Sequence, residues 1–263
     1  MSKTAVITGG SSGLGFELAR LLSGQGYTPV ILARNRGRIE GAVTELRRGG
    51  RDALGFSCDV TDGNRLCEVC AEVRNACASI DFLVVNAGMV TVRLLNEYGD
   101  PDSLKRDLET NLWGAILTAH TFLPLLNPGA KILFISSGFG LMGPAGYSIY
   151  AASKAGMINF AESLRRELLG RNITVHVACP GDMDTPQFHE EHRAMPEWLK
   201  RGARRGLLPP RAAAERIVKK CKGRRFLIVI DGGILALILL GKLTPRWFRD
   251  FLLDRMFPLP PVR

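Results

Sequence analysis

Apolar residues along the chain fall into short runs that alternate with amphipathic stretches. Seven of these runs have the length and composition of buried strands, at 4–8, 27–33, 53–57, 82–85, 131–136, 173–178 and 226–230. After the first run, Leu14, Leu18, Leu21 and Leu22 recur at helical spacing. Strand runs that alternate with helical patterns are typical of βαβ units. The pattern therefore predicts an α/β fold with a seven-stranded parallel sheet.

Glycines cluster where the first strand gives way to the first helix. The segment reads Thr-Gly-Gly-Ser-Ser-Gly-Leu-Gly over residues 8–15. Glycines permit a tight turn and close backbone approach, and a helix N-terminus offers free N–H groups to a pyrophosphate. A plain glycine turn is the alternative. We expect a doubly wound Rossmann fold whose cofactor site includes Gly9, Ser11, Ser12, Gly13, Leu14 and Gly15.

The end of the second strand is basic, which bears on the choice of cofactor. Ala33 is followed by Arg34, with Arg36 and Arg38 nearby. An acidic residue here would bind ribose hydroxyls, whereas a guanidinium can make paired hydrogen bonds to a phosphate. The sequence thus favours NADP(H) over NAD(H), with Arg34 and Arg38 in the cofactor site. Alternatively, these arginines only solvate the start of a helix.

A tyrosine and a lysine four residues apart, Tyr150 and Lys154, would lie on one face of a helix. A phenol has a pKa of about 10, so it exchanges protons poorly at neutral pH unless a nearby cation stabilises its anion. Ser137, at the end of the preceding strand, can hydrogen-bond a substrate oxygen. These three side chains predict proton transfer at a carbonyl group. Tyr147 is set aside because Ala151 stands four residues after it.

A serine about thirteen residues before Tyr-x-x-x-Lys resembles the signature of the short-chain dehydrogenase/reductase family, which favours Ser137 over Ser136. The glycine spacing, Gly-x-x-x-Gly-x-Gly, is also similar to that family's version. The resemblance implies hydride transfer from NADP(H), with Tyr150 as proton donor and Lys154 on the cofactor ribose. It also implies that Asn111 holds a water in a proton relay to Lys154. Further cofactor contacts implied by the family are Asp59, Val60, Asn86, Ala87, Gly88, Pro180, Gly181, Met183 and Thr185.

We expect residues 1–233 to form a single catalytic domain, with a substrate lid at about 185–208. The lid carries His189 and His192, but no further ligands accompany them, so we predict a solvated lid and no metal. Cys67-x-x-Cys70 has no second pair and is read as helix packing. The six cysteines lack the spacing of a disulfide framework, which favours a cytoplasmic protein with reduced thiols.

The net charge of +10 resides in the C-terminal quarter of the chain. Residues 193–263 hold 17 Lys and Arg against 5 Asp and Glu. These cations are interleaved with aromatic residues such as Trp247, Phe248 and Phe251, which favours an anionic membrane surface over nucleic acid. We therefore predict an amphipathic extension over 234–263 in peripheral membrane contact, too short in its apolar run to span a bilayer. Packing against the catalytic domain or a sister subunit is the alternative.

Within this family, the chain resembles the 3-ketodihydrosphingosine reductase branch. The resemblance rests on the segments Thr-Gly-Gly-Ser-Ser-Gly, Ala-Arg-Asn and Asp-Met-Asp-Thr-Pro-x-Phe and on the hydrophobic C-terminus. The resemblance implies reduction of a lipidic ketone to the alcohol by NADPH. A 3-oxoacyl, retinoid or steroid substrate and a non-catalytic NADPH-sensing regulator are the alternatives. The family also implies a homo-oligomer, a dimer or tetramer.

Overall fold

The computed structural model describes residues 3–200 and 207–256. Its centre is a seven-stranded sheet in the order β3-β2-β1-β4-β5-β6-β7, in which every neighbouring pair is parallel. The predicted doubly wound fold is thereby confirmed. The strands are β1 (Lys3–Thr8), β2 (Tyr27–Ala33), β3 (Leu54–Ser57), β4 (Ile80–Val85), β5 (Leu126–Ile135), β6 (Thr174–Cys179) and β7 (Leu227–Val229).

Helices connect the strands and cover both faces of the sheet. Polar side chains begin several of them: Asn35, Asp62 and Asp231 each accept a hydrogen bond from the backbone N–H three residues later. The helices are α1 (Gly13–Gly24), α2 (Arg36–Arg48), α3 (Gly63–Cys77), α4 (Pro101–Leu108), α5 (Gly114–Phe122), α6 (Ser148–Glu167), α7 (Pro186–Ala194), α8 (Glu197–Lys200), α9 (Pro210–Lys220), α10 (Gly232–Leu243) and α11 (Arg246–Met256). A π-helical turn, Glu109–Trp113, joins α4 to α5.

Two apolar layers form the core, one on each face of the sheet. Leu18 of α1, Val43 of α2 and Ile217 of α9 pack on one face. Phe122 of α5 and Met157 of α6 pack on the other. Because strands buried on both faces need apolar residues at every position, the strand runs are continuous rather than alternating.

Strand β5 is longer than the predicted 131–136. It begins at Leu126, which pairs with Ile80 before the register shifts to Phe82 opposite Lys131. The intervening Asn-Pro-Gly-Ala lacks a strand signal, so the sequence pattern alone did not indicate this part of the strand. The register shift and the pairing of Leu126 with Ile80 both involve β4, a strand distant from β5 in the sequence.

The lid and the extension are mainly helical where the structure describes them. The lid contains α7 and α8, while its residues 201–206 lie outside the described part, as do residues 257–263 of the extension. Helix α10 begins at Gly232, so a boundary after residue 233 falls within its first turn. Among the residues described, no helix has the length and apolar character needed to cross a membrane.

Candidate active site

A cavity of about 810 Å³ opens at the carboxyl ends of the strands. It lies where the strand order reverses between β1 and β4, the position at which doubly wound sheets bind their ligands. With Asn111 excepted, the predicted site residues all line this cavity: Gly9, Ser11, Ser12, Gly13, Leu14, Gly15, Arg34, Arg38, Asp59, Val60, Asn86, Ala87, Gly88, Ser137, Tyr150, Lys154, Pro180, Gly181, Met183 and Thr185.

The glycine loop between β1 and α1 has the shape that a pyrophosphate requires. Gly9 and Gly13 have φ of 65° and 55°, which disfavours any side chain. A Cβ on Gly15 would overlap the carbonyl oxygen of Gly9. Ser12 precedes α1 without capping it through its side chain, so it leaves N–H groups of the first turn to a bound anion. The loop therefore fits a dinucleotide.

Asn86, at the end of β4, acts on the glycine loop itself. Its side-chain amide donates to the carbonyl oxygens of Thr8 at 3.0 Å and Gly9 at 3.2 Å. Its backbone N–H donates to the Thr8 hydroxyl at 2.9 Å. Although Asn86 lines the cavity as predicted, its amide is used to hold the loop in place.

Arg34 and Asp59, both predicted to contact the cofactor, lie next to each other at the cavity. The guanidinium of Arg34 is 3.9 Å from the carboxylate of Asp59, and the Arg34 side chain is 74% exposed. An ion pair this long and exposed contributes little to stability, so it costs little to rearrange. The Arg34 guanidinium can therefore turn towards a phosphate group.

Tyr150 and Lys154 lie one turn apart on α6, and Ser137 directly follows β5. The ammonium of Lys154 is 5.7 Å from the centroid of the Tyr150 ring and donates to the carbonyl oxygen of Ile135 at 2.9 Å. The Ser137 hydroxyl accepts from the backbone N–H of Phe139. Ser136, by contrast, donates to the backbone carbonyl of Lys154 at 2.9 Å. The predicted trio thus meets in one cavity, while Ser136 supports α6.

Burial is the largest influence on the pKa values of Tyr150 and Lys154. It raises the pKa of Tyr150 above its usual value, an effect that the side-chain interaction with Ser137 opposes. It lowers the pKa of Lys154 to about 8. The lowering of the Tyr150 pKa that we expected from Lys154 does not appear, and the largest influence is burial, which raises this pKa. Tyr150 is therefore held protonated, which is the state a proton donor needs.

Asn111, which the family resemblance places in a proton relay to Lys154, is not among the residues that line the cavity. It is fully buried in the π-helical turn, where its amide bonds both backbone groups of Met89 and donates to the Ser153 hydroxyl at 3.0 Å. A Cβ on Gly88 would lie 3.0 Å from Asn111 Oδ1 and 3.3 Å from Lys154 Nζ, so the two side chains are close. The relay through Asn111 stays a prediction.

Several residues that face the cavity were missed in the sequence. Glu191 of the lid bonds the hydroxyl of Tyr147, a residue that we had set aside. Ile234 and Leu237 of α10 bring the extension into the cavity wall. The apolar run after Asp231 could have indicated helix α10. No sequence pattern near Tyr147 indicates its contact with Glu191.

The lid histidines have partners other than a metal. His189 is 2.7 Å from the carboxylate of Asp184, and the His192 ring stacks on Phe188 at 5.8 Å. Within residues 3–200 and 207–256, no three His, Cys, Asp or Glu side chains group as metal ligands do. The lid histidines thus offer no ready metal site.

Known proteins resemble this chain over most of its length. The family model described as short chain dehydrogenase matches residues 3–196. The 3-oxoacyl-[acyl-carrier-protein] reductase of Bos taurus is 32% identical over 240 residues, which cover 89% of this chain and 98% of the relative. Carbonyl reductase family member 4 of Danio rerio is 36% identical over 186 residues, 70% of this chain and 77% of the relative. Their names refer to carbonyl and 3-oxoacyl substrates, not to a sphingoid ketone.

Solved structures share both the fold and the cofactor class. A short-chain dehydrogenase/reductase from Burkholderia phymatum in complex with NAD has a TM-score of 0.84 and 25% identity, and the match covers 100% of this chain and 98% of that one. A short-chain dehydrogenase from Burkholderia cenocepacia in complex with NADP has a TM-score of 0.78 and 28% identity, covering 88% and 97%. The chain belongs to the short-chain dehydrogenase/reductase family, oxidoreductases that use NAD(P) on CH–OH or C=O groups.

Proposed function

We propose that this protein is an NADPH-dependent reductase of a ketone carried on a long apolar chain. The observation that carries the proposal is the meeting of Ser137, Tyr150 and Lys154 in one cavity with the glycine loop and Arg34. A purely cofactor-sensing protein would not need this proton-transfer set. The set therefore disfavours the regulator reading.

NADP(H) is favoured by the charge at the end of β2. Arg34 is mostly exposed and only loosely paired with Asp59, so it can bind a 2′-phosphate. The Burkholderia cenocepacia relative, crystallised with NADP, supports this choice. NADPH would supply the hydride.

The protein side chains would handle the proton and the geometry. Ser137 and Tyr150 would bind the carbonyl oxygen, and Tyr150 would donate its proton as the alcohol forms. Lys154 would hold the ribose and, through its charge, stabilise the phenolate that remains. With its pKa lowered to about 8, Lys154 keeps most of its charge at neutral pH.

Apolar residues around the catalytic end of the cavity favour a hydrophobic substrate. Phe139, Met142, Ile234 and Leu237 contribute to this wall. The names of the relatives support a 3-oxoacyl substrate, and the motifs of the lid and extension support 3-ketodihydrosphingosine. Both molecules carry a ketone near one end of a long chain, so the same wall suits either.

The two helices of the extension expose large apolar side chains, which we propose rest on an anionic membrane. Leu235, Leu239, Leu243, Trp247 and Phe251 follow at four-residue intervals and are 43–85% exposed. Arg246 and Arg255 belong to α11, and the Arg255 guanidinium lies over the Phe251 ring, 5.0 Å from its centroid. Apolar side chains flanked by arginine suit the headgroup region of anionic lipid. The protein would then be cytoplasmic, peripheral at a membrane, and a homo-oligomer like its family.

The catalytic assignment is tested by the oxidation of NADPH with 3-ketodihydrosphingosine or a 3-oxoacyl thioester in detergent. Tyr150→Phe should abolish turnover and retain NADPH binding, because it removes only the proton donor. Tyr27→Phe, which removes a hydroxyl outside the cavity, should behave as wild type. Robust turnover by Tyr150→Phe would overturn the mechanism, and the preferred ketone identifies the substrate class.

Sedimentation with vesicles tests the membrane surface separately. Wild-type protein should sediment with vesicles that contain phosphatidylserine, and Leu239→Glu should weaken this binding. Leu169→Glu places the same charge at another exposed leucine, 66% exposed, and should have no effect. A wild-type protein that stays in the supernatant would refute the proposal.

A further inference from the structure

A short hydrogen bond between a phenol and a carboxyl group joins the described part of the lid to the catalytic region. The Tyr147 hydroxyl is 2.7 Å from Oε1 of Glu191, although the two residues are 44 positions apart. Glu191 belongs to lid helix α7, and Tyr147 stands immediately before α6. The bond therefore joins the lid to the start of the catalytic helix α6.

Aromatic packing connects this bond to the proton donor. The Tyr147 ring lies 4.7 Å from the Phe139 ring and 6.3 Å from the Tyr150 ring, measured between centroids. Tyr147 is only 4% exposed. Met195, which follows α7, and Leu199 of α8 pack in the same apolar cluster. The lid thus closes on Tyr147, which in turn contacts Tyr150.

We propose that Tyr147 and Glu191 are positioning residues that form a latch, holding α7 closed over Tyr150 and the bound ketone. The proposal rests on the reductase function proposed above. The hydrogen bond would supply the latch, while the Tyr147 ring would keep its packing against Tyr150 whether or not the bond is made.

The electrostatic surroundings of Glu191 make the latch dependent on pH. Burial raises the pKa of Glu191 to about 7, and the charge of Asp182 adds to this effect, while the bond from Tyr147 opposes it. Tyr150 also faces Glu191 from α6. On α7 itself, His189 pairs with Asp184 and His192 stacks on Phe188, so both are engaged elsewhere.

The direction of this pH dependence follows from the difference in the Glu191 pKa between the closed and the open lid. In an open lid the carboxyl group would meet water and regain an ordinary pKa of about 4.3. Closing then takes up a proton between about pH 4.3 and 7, so closure weakens as the pH rises through this window. Closure at about pH 6 should be favoured about tenfold over closure at about pH 8.

Two substitutions separate the hydrogen bond from the titration. Glu191→Gln keeps an oxygen that can accept from Tyr147 but cannot ionise. Tyr147→Phe keeps the ring and removes the hydroxyl. Glu197→Gln removes the same charge from a lid side chain that is 86% exposed, and serves as the control.

Amide hydrogen exchange of the lid, corrected for the intrinsic effect of pH, tests the latch without any substrate. Protection of residues 186–194 in wild type and Glu197→Gln should fall about tenfold between about pH 6 and pH 8. It should stay level in Glu191→Gln and be lower throughout in Tyr147→Phe. The same pH dependence in Glu191→Gln as in wild type, or unchanged protection in Tyr147→Phe, would overturn the latch.

Kinetics provide the second readout once a ketone is turned over. Tyr147→Phe should raise KM for the ketone by about twofold to twelvefold, the worth of one hydrogen bond, with a smaller change in kcat. An equal loss in kcat with KM unchanged would overturn the latch. A wild-type protein that reduces no ketone but shows the pH-dependent lid would overturn the proposed function and leave the latch in place.

Discussion

Asn86 offers a direct test of whether the glycine loop must be preformed for cofactor binding. Asn86→Ala removes the two hydrogen bonds that its side chain donates to Thr8 and Gly9. A hydrogen bond of this kind contributes about 0.5–1.5 kcal/mol net, so the pair is worth about 1–3 kcal/mol. If NADPH must then order the loop, its Kd should rise by about fivefold to 150-fold.

Titration of NADPH fluorescence measures this Kd directly. Asn86→Asp should bind at least as poorly as Asn86→Ala, since a carboxylate oxygen would face two carbonyl oxygens. Asn127 provides a matched control, because its side-chain amide also donates twice, to Ser79 and Asp81, each at 3.0 Å. Asn127→Ala should lower thermal stability and leave the Kd unchanged. Wild-type affinity in a folded Asn86→Ala protein would refute the reasoning.

Two further predictions concern the cofactor and the stability of the sheet. Arg34→Leu should raise KM for NADPH by tens of fold and leave KM for NADH nearly unchanged, since a charge-assisted phosphate contact is worth about 1.5–3 kcal/mol. Steady-state kinetics with each cofactor measure both constants. An equal effect on the two KM values would contradict the NADP assignment. His176 is fully buried, and burial lowers its pKa. The unfolded chain therefore binds the proton first, and stability should fall as the pH drops below about 6.5. Thermal melts should show a smaller fall in His176→Leu, and an identical fall would rule His176 out.

Local sequence patterns predicted much of the fold. The run 27–33 and strand β2 (Tyr27–Ala33) coincide, because a strand buried on both faces must be apolar throughout. The glycine loop could also be predicted from the sequence, since the positive φ at Gly9 and Gly13 restricts the residue type. Tyr150 and Lys154 lie on one face of α6 because a helix repeats every 3.6 residues.

Contacts between distant parts of the chain could not be predicted in the same way. Nothing near Glu191 indicates that its partner is Tyr147, and the bond exists only because the lid folds back over α6. Asn111 likewise is buried in a π-helical turn, and no local sequence pattern indicates that turn. Such features arise from packing, so the residue types alone leave them open.

The two sides of α10 have a practical consequence for anyone who shortens the chain to improve its behaviour in solution. The outer side carries Leu235 and Leu239, which makes the helix an inviting segment to delete. On the inner side, Ile234 packs against Gly138 and Gly181, next to the serine of the reaction centre. A version ending before Gly232 would lack these exposed leucines, yet it would also have lost part of the cavity wall. Kinetic constants from such a protein would describe a different binding site.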